Sequence, residues 1–308
     1  MQRRDFLALS MAMAVVPPAF GDQTMEMTAK TVSHAGIELA TEAAGSPEKG
    51  TILLAMGATA SMVWWPDTMV QALAQGGYQV IRFDHRDTGQ STTNAPGDVQ
   101  YEAQDLADDL LAILDAYDVQ SAHFVGMSLG GYVSQIDAIE HPDRVLSLTL
   151  IASEPVGIEY QGEGITPEFM EHFSAMGTLD WSDDAEVADF MLGIARLSAG
   201  SGRPFDSKQA MARIERELAR TDSIQSAFNH SMVGGELGAD VTAAGITQPL
   251  LLIHGSDDPI ISVAAARKSA DVVSDATLLV LDGVGHELLA EDVPKIVEAI
   301  LAHCAKVN

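Results

Sequence analysis

Residues 122–140 read AHFVGMSLGGYVSQIDAIE, an apolar run, then a serine among small residues, then apolar positions at helical spacing. Gly126-Met127-Ser128-Leu129-Gly130 matches G-x-S-x-G. That pattern carries a mechanism only where a strand turns sharply into a helix. Here AHFV supplies the strand and the helix starts at Leu129. A turn this tight leaves no room for bulk beside the serine, and its strain lifts the hydroxyl clear of the sheet. The segment therefore demands a buried strand whose carboxyl end abuts a helix, which is the working edge of a parallel sheet.

The rest of the chain supplies such a sheet. Val32 to Thr41 alternates around Ala35-Gly36 and predicts an opening hairpin. Apolar runs at Thr51–Met56, Tyr78–Phe83, Ala122–Val125, Val145–Ile151, Pro249–Ile253 and Ala276–Leu281 predict buried strands. Helical spacing falls at Trp65–Ala74, Asp105–Tyr117, Leu129–Ile139 and Ile296–His303. Strand and helix alternate, so the expected class is α/β, a mostly parallel sheet covered by helices on both faces. From about Glu154 to Gly245 the alternation stops. That stretch has helical spacing, several methionines (Met170, Met176, Met191, Met211, Met232) and no convincing strand. The expected organisation is a core of residues 30–153 and 246–308 with a helical cap at 154–245. The methionines read first as packing, and secondarily as a pocket lining.

A serine hydroxyl is a weak nucleophile until a base takes its proton and a carboxylate orients that base. In this architecture the partners follow in the order serine, acid, histidine. Strand PLLLI runs into His254-Gly-Ser-Asp257-Asp258-Pro, and ATLLVLD into Gly283-Val-Gly285-His286. An acid after one strand and a histidine after the next reach the same sheet edge as Ser128. The predicted catalytic set is Ser128, Asp258 and His286. Asp257 and Glu154 are the alternative acids. His254 and His123 read as packing or locally bonded, and His85, His141, His172, His230 and His303 have no assignable partner. Charge that builds on a carbonyl oxygen needs backbone N–H donors. The residue after the nucleophile, Leu129, is one; Ala58, after the strand that ends at Met56-Gly57, is the other.

Composition removes competing classes. Of 308 residues, 17 are Lys or Arg against 44 Asp or Glu, a net charge of −27. Such a surface repels phosphate backbones and anionic lipids, which excludes nucleic acid as a partner. The single cysteine, Cys304, makes neither an intrachain disulfide nor a thiolate cluster and reads as a small apolar residue. GMSLGG is not a dinucleotide fingerprint. No cofactor and no metal are called for. At the N-terminus, Arg3-Arg4-Asp5-Phe6-Leu7 precedes a short apolar stretch broken by Pro17-Pro18 and ending near Ala19-Phe20-Gly21. This describes a signal peptide over residues 1–21, twin-arginine-like, too short for an anchor. The export machinery is thus an expected partner, the mature chain has no membrane span, and the expected location is periplasmic or secreted.

These residues resemble the α/β-hydrolase superfamily from about Val32 to the C-terminus. More closely, LLAMGATASMVWWPD, VIRFDHRDTGQSTT and GSGRPFD resemble the aclacinomycin methylesterase-like group of bacterial serine esterases. The resemblance implies a serine, acid and histidine at Ser128, Asp258 and His286, with oxyanion donors at Ala58 and Leu129. It also implies cleavage of esters, in the namesake a methyl ester on a polyketide. Met56-Gly57 stands where the wider superfamily has His-Gly, and Asp84-His-Arg86-Asp87-Thr-Gly89 where it has Asp-x-Arg-Gly; the closer group shares both departures. The export signal is not implied by the namesake. The expected activity is hydrolysis of a small-molecule carboxylic ester through an acyl-enzyme. The alternatives are a lactonase, amidase or cofactor-free perhydrolase on the same residues, or a non-catalytic ligand-binding member of the fold.

Overall fold

The structure is a computed structural model describing residues 26–307, so the signal-peptide segment lies outside the described residues. Strands β1 (Thr28–His34) and β2 (Ile37–Ala44) form the hairpin anticipated around Ala35-Gly36. Both turn residues are left-handed, with φ of 47° and 84°, as a two-residue turn matched to strand twist requires. There follow β3 (Thr51–Ala55), α1 (Asp67–Gln75), β4 (Gln79–Phe83), α2 (Ala103–Ala116), β5 (Ala122–Met127), α3 (Leu129–Glu140) and β6 (Val145–Ile151). Next come α4 (Pro167–Ser174), α5 (Asp184–Ser198), α6 (Ser207–Leu218) and the single turn α7 (Ile224–Ala227), with no strand until β7 (Leu250–Gly255). Helix α8 (Ala264–Val272), β8 (Ala276–Leu281) and α9 (Val293–Cys304) complete the order.

The eight strands form one sheet in the order β1-β2-β4-β3-β5-β6-β7-β8. β1 and β2 pair antiparallel, as do β2 and β4, and every other pair is parallel. Successive residues of a strand point to opposite faces. Leu53 and Ala55 of β3 pack with Leu106 and Leu110 of α2 and Val133 and Ile136 of α3. Ile52 and Leu54 pack with Met69 and Leu73 of α1 and Ile296 and Ile300 of α9 on the other side. This is why the central strands read as continuous apolar runs. Register pairs Ala55 with Gly126, Met127 with Ile151, Ile151 with Ile253 and Gly255 with Leu281. The carboxyl ends of β3, β5, β6, β7 and β8 thus share one edge.

Helices α4 to α7 have a small core of their own, built on Val187, Phe190, Met191, Ile214 and Phe228. Met191 is buried there, whereas Met170 and Met232 are exposed. Two elements differ from expectation. Trp65 is extended rather than helical, because a residue before proline is pushed out of the helical region, and α1 starts only after Pro66. Helix α8 has few apolar residues and was not anticipated; its buried face is Ala265, Ala266 and Ser269.

Glycine has two separate reasons in this fold, and mutation distinguishes them. At Gly36 nothing lies within 4 Å of an added Cβ, but φ is +84°. At Gly130 an added Cβ would sit 2.1 Å from the Ala55 carbonyl oxygen. Gly36→Ala is expected to cost about 1 kcal/mol, the strain of a left-handed alanine. Gly130→Ala must separate α3 from β3 and is expected to cost at least about 3 kcal/mol. Denaturant unfolding of the two variants side by side checks the ranking.

Candidate active site

Ser128 sits between β5 and α3 with φ 50° and ψ −117°, a conformation that L residues rarely adopt. Its surroundings hold it there. Its N–H donates to the Ile151 carbonyl at 2.9 Å, and its carbonyl accepts from Ser153 Oγ at 2.9 Å. The neighbouring glycines are steric necessities: a Cβ on Gly126 would lie 2.4 Å from Gly130 O, and one on Gly131 2.7 Å from Ser153 Cβ. The hydroxyl opens into a cavity of about 360 Å³ whose wall includes Met56, Gly57, Ala58, His286, Trp64 and Phe228.

Asp258 and His286 come from the loops after β7 and β8, as the topology predicts. His286 Nδ1 lies 2.8 Å from Asp258 Oδ2. The Asp258 side chain is 0% exposed and that of His286 11%. Asp258 Oδ1 accepts the N–H groups of Ile260 and Ile261 at 2.9 and 2.8 Å. Burial pushes this carboxyl up, but the hydrogen bonds from His254 and His286 and the Ile261 N–H outweigh it and hold it well below the usual range. A carboxylate fixed in this way holds the His286 ring through Nδ1 and leaves Nε2 without a hydrogen bond among the described residues. Ser128 and His286 line the same cavity, and no hydrogen bond joins their side chains. Such contacts are commonly loose without a ligand and tighten in the reacting complex.

The two alternative acids are placed elsewhere. Asp257 turns toward Ser201 and Ser256, whose hydroxyls hold its carboxyl below the usual range. Glu154 is exposed and accepts from Tyr160 at 3.4 Å. Ala58 and Leu129 flank the serine, and neither backbone N–H donates a hydrogen bond to another described residue. Leu129 opens α3, where the first N–H groups have no partner inside the helix. Cys304 is buried, its thiol pushed up to about 12 by burial.

Three histidines brace this geometry: His254 bonds locally as expected, whereas the roles of His85 and His230 were missed by sequence reasoning. His254 Nε2 lies 2.7 Å from Ile261 O and 3.4 Å from Asp258 Oδ2, so it pins the acid loop. His85, fully buried, donates from Nε2 to the Met56 carbonyl at 3.0 Å. His230 Nδ1 accepts the Thr59 N–H at 3.0 Å, while its Nε2 donates to the Arg86 carbonyl at 2.8 Å. The loop Met56–Thr59 is therefore gripped at both ends by imidazoles, one of them contributed from between β6 and β7. Thr59 needs the grip, since its φ is 64°. The backbone also ties the end of α5 to the histidine loop. His286 N–H donates to Ser198 O at 2.8 Å, and a Cβ on Gly285 would meet that oxygen at 2.2 Å. The spaced glycines of SAGSG and GVG were the available sequence signal for this contact.

This fold, with its elbow serine, belongs to a known class. Residues 50–293 match the family model described as alpha/beta hydrolase fold, and the chain belongs to that family. Its relatives include a rhodomycin D methylesterase of Streptomyces sp. (strain C5), 30% identical over 294 residues, covering 90% of this chain and 98% of that protein. Among solved structures, a hydrolase from Pseudomonas aeruginosa superposes with a TM-score of 0.65 at 25% identity, covering 92% of this chain and 99% of that one. An esterase from Exiguobacterium antarcticum shares the fold with a TM-score of 0.73 at 16% identity, covering 90% and 100%.

The histidine braces predict an acid response. Burial, and then the neighbouring His230, lower the His85 imidazole to about 3, and burial also lowers His230. An unfolded histidine protonates near 6.5. Below about 6.5 the unfolded chain takes up protons that the fold refuses, so these groups remove stability as pH falls and contribute nothing above it. His85→Gln keeps a donor for Met56 O without the titration. Its stability is expected to fall less steeply than the wild type's between about pH 6.5 and pH 3, by on the order of 1 kcal/mol per pH unit. Chemical denaturation across that range reads the difference in slope.

Proposed function

We propose that this carboxylic ester hydrolase works through Ser128, His286 and Asp258, with the Ala58 and Leu129 N–H groups as the oxyanion donors. The observation that carries the reading is the buried Asp258–His286 hydrogen bond facing the cavity into which the strained serine opens. His286 Nε2 takes the hydroxyl proton as Oγ attacks the ester carbonyl. The carbonyl oxygen becomes an oxyanion between the two N–H groups, each worth about 3 kcal/mol of the barrier. Asp258 stabilises the imidazolium without taking its proton. The imidazolium then protonates the alcohol as it leaves. Water, deprotonated by the same nitrogen, attacks the acyl-enzyme and releases the acid. The helices α4–α7 act as a cap over this site, and the mainly apolar wall favours an ester with a bulky apolar part. The methylesterase relative supports an ester as substrate.

Ser128→Ala is expected to lower kcat at least about 10⁴-fold on p-nitrophenyl esters, and Asp258→Asn about as much. Asp257→Asn is expected to stay within a few-fold of the wild type. A fluorophosphonate should label the protein once, at Ser128, by peptide mass mapping; an adduct elsewhere, or an active Ser128→Ala protein, defeats the reading.

We further propose that residues 1–21 direct export and are removed near Gly21. Protein recovered from the periplasm should show the mass of the processed chain, and the Arg3→Lys, Arg4→Lys double variant should accumulate as full-length precursor in the cytoplasm.

A further inference from the structure

Helix α6 presents Gln209, Ala210 and Arg213 to the same cavity, three residues on one helical face. Arg213, half-buried, differs from the other arginines removed from solvent. Arg82, Arg86 and Arg220 each meet a carboxylate at 2.7–2.9 Å. Arg203, also on the cavity wall, is held by both oxygens of Asp292. Arg213 has no hydrogen bond and no ion pair among the described residues; its guanidinium lies 5.3 Å from the centroid of the Trp64 ring. Burial pulls it below the usual arginine value, offset in part by the charge of Glu287. By contrast, Asp109 and Asp84 outweigh burial at Arg86 and Arg220.

The chain has 44 acids for 17 bases, so an unpaired, part-buried guanidinium is not for want of carboxylates. Two of the acids on the cavity wall are engaged elsewhere. Asp206 accepts the Lys208 and Gln209 N–H groups at the start of α6, and Glu287 accepts that of Gly200. Trp64 Nε1–H, buried on the same wall, also lacks an acceptor among the described residues. Arg213 thus stands with its donors unengaged on an aromatic wall that includes Trp64, Phe173, Phe205 and Phe228, in a cavity that Asp206, Glu287 and Glu291 also line. A guanidinium presents paired N–H groups in a plane that matches a carboxylate, and it binds more strongly where water is scarce.

We propose that Arg213 forms a subsite for a substrate carboxylate, so that the preferred esters carry a free carboxylate on a bulky apolar frame. The proposal rests on the assignment of this cavity as the ester site. A neutral ester would bury the guanidinium without an acceptor, and sites with unpaired donors discriminate strongly against ligands that lack the matching group.

The test removes turnover and reads binding. In the Ser128→Ala protein, 2-naphthoate and its neutral isostere 2-naphthamide are titrated by calorimetry. Naphthoate is expected to bind about tenfold or more tighter, the scale of one charge-assisted hydrogen-bonded pair. In Ser128→Ala/Arg213→Met the preference is expected to fall to about twofold or less, and in Ser128→Ala/Arg213→Lys to be partly retained. Equal affinities with Arg213 present overturn the proposal. So does a preference that survives in the Met variant, which would place the carboxylate at the Ala58 and Leu129 donors instead. Should the Met variant not fold, the Lys variant and competitive inhibition of the wild type by naphthoate but not naphthamide decide. With the serine in place, the half-ester of an aromatic dicarboxylic acid should be preferred over its dimethyl ester. Absence of any ester turnover alongside a normal naphthoate preference defeats the catalytic reading alone; normal turnover without the preference defeats the subsite alone.

Discussion

The contact between Gly130 and the Ala55 carbonyl determines how the two halves of the site meet. An added Cβ there would stand 2.1 Å from the oxygen, so the first turn of α3 lies directly on the end of β3. That closeness brings the Leu129 N–H and the Met56–Thr59 loop to the same small volume. It also forces the backbone at Ser128 into its positive φ, because the chain must reverse from β5 into α3 within one residue. A strained residue persists only where its neighbours over-determine it. Here they do: Ile151 O, Ser153 Oγ and the α3 ladder each fix one end of the peptide units around the serine. Packing, local strain and the position of the Ser128 hydroxyl are one constraint.

The segment between β6 and β7 contributes to the cavity from a second direction, and polar contacts tie it to the loop after β3. Arg220 binds both oxygens of Asp84, whose Oδ1 also accepts the Met62 N–H. Glu217 accepts from Ser61 at 2.5 Å, and Arg216 meets Asp67 at the edge of α1. All of these partners lie in or beside the loop that leads out of β3. His230 reaches the same loop at Thr59, and Ser198 holds the backbone of His286. Movement of this segment would therefore disturb the Met56–Thr59 loop and the His286 loop together. Buried charges with saturated hydrogen bonds fix geometry more than they add stability, and here they fix a segment whose residues line the cavity.

Much of this was legible in the sequence because it depends on local pattern. The strands between Thr51 and Leu281 announce themselves as short apolar runs, most of them stopped by glycine or acid, and the elbow by its spacing. Asp258 and His286 followed from chain order. The choice of Asp258 over Asp257 could only be weighed in the sequence, since adjacent residues share every local property; geometry separates them by sending Asp257 to Ser201. Helix α8 was illegible because its buried face is alanine and serine, which carry little hydrophobic signal. His85 and His230 were illegible for a different reason. Their partners are backbone groups at Met56, Thr59 and Arg86, and a backbone acceptor or donor has no letter in the sequence. Trp65 was misplaced by a neighbour effect that was visible, the proline that follows it.

The acidity of the chain acquires a structural meaning from where the bases are. A net charge of −27 disfavours the compact state through self-repulsion. The arginines are not scattered to dilute it. Arg82, Arg216 and Arg220 gather Glu42, Asp67 and Asp84 where α6 meets the loop after β3, and Arg203 joins Asp292 across the other border of the cavity. Exposed members of this set, such as Arg216 with Asp67, are screened by salt and contribute little each. The buried ones, Arg220 with Asp84 and Arg86 with Asp109, are screened far less and would leave an unpaired buried carboxylate if broken. Salt should thus relieve the surface repulsion while leaving these joints intact. The acidic surface and the arginine-tied joint serve different ends: the first keeps the chain hydrated, and the second holds α6 to the loop after β3 in spite of the first.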